Sequence, residues 1–193
     1  MTVLLFTGTC RLLVVAKGPF TNVRCFGNEA YAAQCKPNEI HVFRMPCYET
    51  GGQWVKLRAI RVPIKKTGFT ITLSVGNTIR CSSWRENKIH EFSRSDETWR
   101  THGRVGTETA GQFNEPFICD DDVSGNMLIA DRCNHRLQVM DARGACRLVA
   151  MVTTVPMPIS AAVYNNHLYV INNKCVYKYS PMVDAVPPVM PHL

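Results

Sequence analysis

Residues 111–144 read GQFNEPFICDDDVSGNMLIADRCNHRLQVMDARG, and the fold is decided by how this stretch is parsed. Asn126–Asp131 holds four consecutive apolar residues between polar ends, the pattern of a strand buried on both faces. Gly125-Asn126 ahead of it is a hairpin-turn signal. Arg132-Cys133-Asn134-His135 makes a short polar loop, and Arg136–Met140 then alternates polar and apolar as a half-buried strand does. Pro116–Cys119 supplies an earlier strand, entered through a proline that suits only a strand start or edge.

The same unit recurs outward in both directions. Gly27-Asn28 and Gly76-Asn77 are 49 residues apart, as are Asn38–Phe43 and Asn87–Phe92, and Gly125 lies 49 beyond Gly76. A further copy, Asn165–Val170, starts 40 residues after Gly125 and is followed by Val176–Tyr179. Strand-rich units at a period of about 40–50 residues point to β-propeller blades. The expected fold is all-β: an open arc or partial propeller of about four blades, each a four-stranded antiparallel sheet.

Ala130–Val139 resembles the NHL repeat, whose Asn-His-Leu signature is matched by Asn134, His135 and Leu137. Gly111-Gln112-Phe113 and Pro116 match the family's lead-in. The arrangement is similar to the C-terminal propeller of invertebrate tripartite-motif proteins. The resemblance implies a protein-interaction scaffold in a ubiquitin-ligase-related protein, with RNA as the alternative partner for some relatives. No RING, B-box or coiled-coil sequence occurs in these residues, so ligase activity would need other domains. Trp54 and Trp99, each beside a strand, also resemble Kelch blades, which rank second. NHL propellers close with six blades, so the chain is expected to be part of a larger ring.

The expected organisation is edge strands at 1–18, blades at about 19–61, 62–105, 106–153 and 154–180, and a proline-rich tail at 181–193. Met1–Ala16 is apolar but broken by Gly8 and Arg11, and reads as two short strands rather than a signal peptide. No apolar run approaches the ~20 residues of a membrane span. Nine cysteines without C-x-x-C spacing give no zinc signal, and their odd number speaks against a closed disulfide framework. Both favour a reducing, cytoplasmic location. No cofactor and no metal are expected. Asp120–Gly125 lacks the alternating carboxylates of an EF-hand loop and reads as a polar turn.

The chain carries a net charge of +7, all of it in the first half: residues 1–100 hold 15 Lys/Arg against 7 Asp/Glu, and residues 101–193 hold 7 against 8. In a four-stranded meander, the loop from strand two to three and the crossover to the next blade share one face. That face would carry Lys36, Arg61, Lys65, Lys66, Trp84, Arg85, Lys88, Arg132, Arg136 and Lys174. A basic face with an aromatic suits a protein partner, or single-stranded RNA by stacking and phosphate neutralisation. Asp131, Asn134 and His135 are expected to satisfy backbone groups at a blade junction, leaving Arg132 and Arg136 free for ligands. No catalytic constellation emerges. The enzyme alternative, a propeller lyase or hydrolase, would need histidines recurring at channel positions, which this sequence lacks.

Overall fold

The computed structural model describes residues 2–6, 12–17, 20–46, 53–66, 68–74, 78–121, 125–148 and 155–180. A hairpin of β1 (Thr2–Phe6) and β2 (Leu12–Lys17) comes first. Blade one follows as β3 (Phe20–Phe26), β4 (Glu29–Cys35), β5 (Asn38–Arg44) and β6 (Val55–Arg61). Blade two is β7 (Thr70–Ser74), β8 (Thr78–Ser83), β9 (Lys88–Ser93) and β10 (Trp99–His102). A short parallel pair, β11 (Arg104–Val105) and β12 (Gln112–Phe113), leads to blade three. Blade three is β13 (Pro116–Asp121), β14 (Met127–Asp131), β15 (Arg136–Met140) and β16 (Cys146–Leu148). Blade four is three-stranded, β17 (Ser160–Tyr164), β18 (His167–Ile171) and β19 (Val176–Tyr179). Every blade is an antiparallel meander in chain order.

The first strands of the blades line the inside of the arc. β3 packs on β7, β7 and β8 on β13, and β13 and β14 on β17. Each seam has its own apolar core. Tyr31, Ile40, Val42, Ile60, Phe69, Ile71 and Ile79 fill the first. Ile89, Phe113, Ile118, Met127, Ile129 and Met140 fill the second. Leu128, Ala130, Leu137, Val139, Ala161 and Val170 fill the third. β14 shows the logic: Met127 and Ile129 serve the second seam, Leu128 and Ala130 the third. A strand between two seams must be apolar on both faces, which is why Met-Leu-Ile-Ala is unbroken.

β15 departs from the half-buried expectation, since Leu137, Gln138, Val139 and Met140 are all buried. Gln138 tolerates this because its amide is fully hydrogen-bonded, as described below. β10 and β11 are separated at Gly103, whose φ is +88°. A Cβ there would lie 2.4 Å from the Phe113 ring, so only glycine lets the ring close the seam. The fourth blade falls one strand short of the expected four among the described residues. The only helix among them is the one-turn Arg132–Asn134. The Gly76-Asn77 turn, Asp122–Ser124 and the tail at 181–193 lie outside the described residues.

Candidate functional site

The face carrying the two-to-three loops and the crossovers is stitched at each seam by side chains. In blade three the stitch is Asp131, the last residue of β14 and wholly buried. One carboxylate oxygen accepts the Asn114 amide at 2.7 Å. The other accepts Asn134 Nδ2, Arg136 Nε and Gln138 Nε2, each at 2.8 Å. Arg136 extends the network by donating to the carbonyls of Thr107, Thr109 and Gln112. Asn134 donates to the Gly106 carbonyl at 2.9 Å. Gln138 Nε2 also donates to the Gln112 carbonyl, and its oxygen accepts the Gly111 amide at 2.9 Å. His135 adopts left-handed backbone, φ 54°, and its Nδ1 accepts the Met157 amide at 2.9 Å. Leu137 is a core residue of the third seam.

Asp131, Asn134 and His135 therefore hold backbone of the crossovers on either side. Arg136 is not free for a ligand, contrary to the expectation. It pairs with a carboxylate with no solvent exposure, and three carbonyls take three of its four remaining N–H donors. Arg132 pairs with Glu115 at 2.6 Å, so its charge is also compensated. The sequence pattern shows Arg132, Arg136, Asp131 and Glu115 but not which of them pair in the fold.

The seam between blades one and two is built differently. Asn38 Nδ2 donates to the Ile64 carbonyl at 2.9 Å, and the Asn38 carbonyl accepts the Val62 amide at 3.0 Å. Glu86 accepts the amides of Lys65 and Lys66 at 2.6 and 2.7 Å. These bonds bring together the turn with Lys36, the crossover with Arg61, Lys65 and Lys66, and the loop with Arg85 leading to Lys88. None of these six cations forms an ion pair with a described carboxylate. Five are exposed, and Lys88 is half-buried. Glu86 is the residue that fixes the crossover. Its distance of about twenty residues from the amides it holds left no sequence signal. Lys174 is exposed and lies in blade four, outside this cluster.

Trp84 sits in the same loop, half-buried rather than open. Its ring stacks on Phe117 at 5.7 Å with planes 14° apart. Gly68 lies against it so closely that a Cβ would meet the ring at 2.6 Å. Below the loop, His90 is buried with Nδ1 on the Thr101 hydroxyl at 3.0 Å and Nε2 without a partner among the described residues. Burial holds its pKa below the ordinary imidazole value, opposed in part by Glu86.

On the opposite side of blade two, Arg80 forms a buried bridge that sequence reading missed. It pairs with Glu91 at 3.0 Å and Asp121 at 3.2 Å and donates to the Gly125 carbonyl at 2.9 Å. Blades two and three are thus joined by charge as well as by apolar packing. Among the described residues no three His, Cys, Asp or Glu side chains are grouped to hold a metal ion.

No protein-family model matches the sequence. No curated protein matches it either. Solved structures do. The chain is similar to a catalytically inactive virginiamycin B lyase from Staphylococcus aureus with quinupristin, at TM-score 0.59 and 12% identity, covering 96% of this chain and 61% of that one. It is similar to an auxiliary nutrient binding protein from Bacteroides thetaiotaomicron, at TM-score 0.59 and 13% identity, covering 84% and 48%. It is also similar to YCF48 bound to a peptide, at TM-score 0.52 and 12% identity, covering 84% and 51%. These neighbours are β-propellers, and the chain has that fold. It spans less than two thirds of the length of each.

Proposed function

We propose that this chain is a non-catalytic binding module of NHL type that recruits a protein partner through the loop face of blades one and two. The observation that carries this is the cluster of Lys36, Arg61, Lys65, Lys66, Arg85 and Lys88. Its side chains lack ion-pair partners among the described residues while the backbone beneath them is fixed by Asn38 and Glu86. A rigid cationic surface attracts an anionic partner and loses little freedom on binding it. The nutrient-binding and peptide-bound neighbours support a binding role by fold similarity alone. A cytoplasmic location belongs to this proposal; the free state of all seven described cysteines supports it. The test is affinity capture compared between the intact protein and Lys65→Glu/Lys66→Glu/Arg85→Glu. A specific protein held by the first and lost from the second supports the reading, and an unchanged set refutes it.

Single-stranded RNA is the second reading, favoured by the same six cations. It is weakened by Trp84, whose ring is already occupied by Phe117 and Gly68 rather than open to a base. Fluorescence anisotropy with random-sequence RNA at low salt tests it directly. Phosphate contacts by four of these cations would give a salt slope of about three log units, and absence of binding at low salt removes the idea.

A further inference from the structure

β6 ends blade one, and its outer edge carries no strand in the sheet order β3-β4-β5-β6. It runs for seven residues, against four in β10 and three in β16, the outer strands of blades two and three. Residues 55–59 are all exposed, including Val55 and Leu57, which are 50% and 36% exposed. A long exposed edge is a template for pairing with another strand. From Gln53 to Lys66 the chain holds Lys56, Arg58, Arg61, Lys65 and Lys66 and no acid. Arg58 is the only one of these with an ion-pair partner among the described residues, Glu97 of blade two, and both side chains are exposed.

The charge selects the occupant. A second copy of this edge would set Lys and Arg against Lys and Arg, and like charges across a strand pair are destabilising. An acidic strand meets the same residues favourably. The exposed Val55 and Leu57 offer apolar contacts between the charges. β6 also continues directly through Arg61 into the Lys65–Lys66 crossover. A segment lying along β6 would therefore deliver its end to the cationic loop face.

We infer that β6 docks an extended acidic segment of a protein partner, which adds to blade one as a fifth strand and pairs its carboxylates with Lys56, Arg58 and Arg61. This rests on the protein-binding reading above and names the chemistry of the partner. Main-chain hydrogen bonds supply affinity in this mode and side-chain contacts supply selectivity.

The probe is a fluorescein-labelled peptide of four Glu-Val repeats, titrated into the full chain by anisotropy at low salt. A companion peptide carries N-methyl groups on alternate residues, which removes backbone donors and leaves every charge in place. The expected result is binding of the first, with affinity reduced about tenfold or more by N-methylation and by Lys56→Glu/Arg58→Glu. Hydrogen exchange should show new protection at the amides of Val55–Arg61. Absence of binding, equal affinity of the two peptides, or protection confined to other segments would overturn the inference. The loop variant Lys65→Glu/Lys66→Glu/Arg85→Glu separates the two readings. If it still loses its captured protein while the β6 tests fail, the loop face stands and the edge does not.

Discussion

Asp131 is the residue on which the third blade depends most. It is fully buried and takes four hydrogen bonds, three of them from side chains that also hold crossover carbonyls. Asp131→Ala leaves Arg136 buried without its counter-charge and should cost about 3–5 kcal/mol, read from the urea midpoint. Adding Arg136→Ala should cost far less than its own single change, because the two act as one unit, with a coupling of about 1–3 kcal/mol. Strict additivity would show that the network is not shared. Gly68→Ala tests the other close contact: its φ of +114° and the 2.6 Å approach to Trp84 should cost about 1–3 kcal/mol. A change within about 0.5 kcal/mol, the size of an ordinary surface substitution, would place the ring elsewhere. The signature residues Asn134, His135 and Leu137 were legible in the sequence, and Asn134 and His135 hold backbone groups as expected of them. The engagement of Arg132 and Arg136 was not, because their pairing with Glu115 and Asp131 depends on how the strands and loops are brought together.

Strands were the most legible elements. Periodicity and turn residues located β5, β9, β14 and β15 to within about two residues, because each must present apolar groups to fixed seams. The Asn165-Asn166 turn has both residues at positive φ, 47° and 59°, as a two-residue hairpin demands. Legibility failed where a single glycine interrupts a strand, as at Gly103, and where a polar side chain is buried by its partners, as at Gln138 and Arg80. His90 gives blade two a pH dependence. Burial lowers its pKa in the folded state, so the folded form favours neutral imidazole. Its contribution is complete above the unfolded value of about 6.5 and is lost as pH falls below it. His102, lowered for the same first cause, acts in the same sense. The denaturation midpoint should therefore fall between pH 7.5 and 5, and His90→Gln should flatten part of that fall. A midpoint unchanged over this range would mean that His90 is solvated.

The whole molecule is an arc of blades with three apolar seams and six of its cations gathered on the loop face of blades one and two. Sequence located the basic half, because net charge needs no fold to be counted. Topology gathered six of those cations on one loop face and left Arg132 and Arg136, which are paired, and Lys174 of blade four out of the cluster. Charge reversal there should not disturb folding, since the side chains concerned are exposed, and surface changes of this kind usually fall within about 0.5 kcal/mol. It should instead slow association, by roughly tenfold or more for an anionic partner at low salt. The measurement that tests this most directly is quantitative affinity capture by Lys65→Glu/Lys66→Glu/Arg85→Glu beside the unaltered chain, with thermal melting of both. The account predicts equal melting temperatures and loss of a specific partner from the variant alone. The same partner captured equally by both proteins would contradict it.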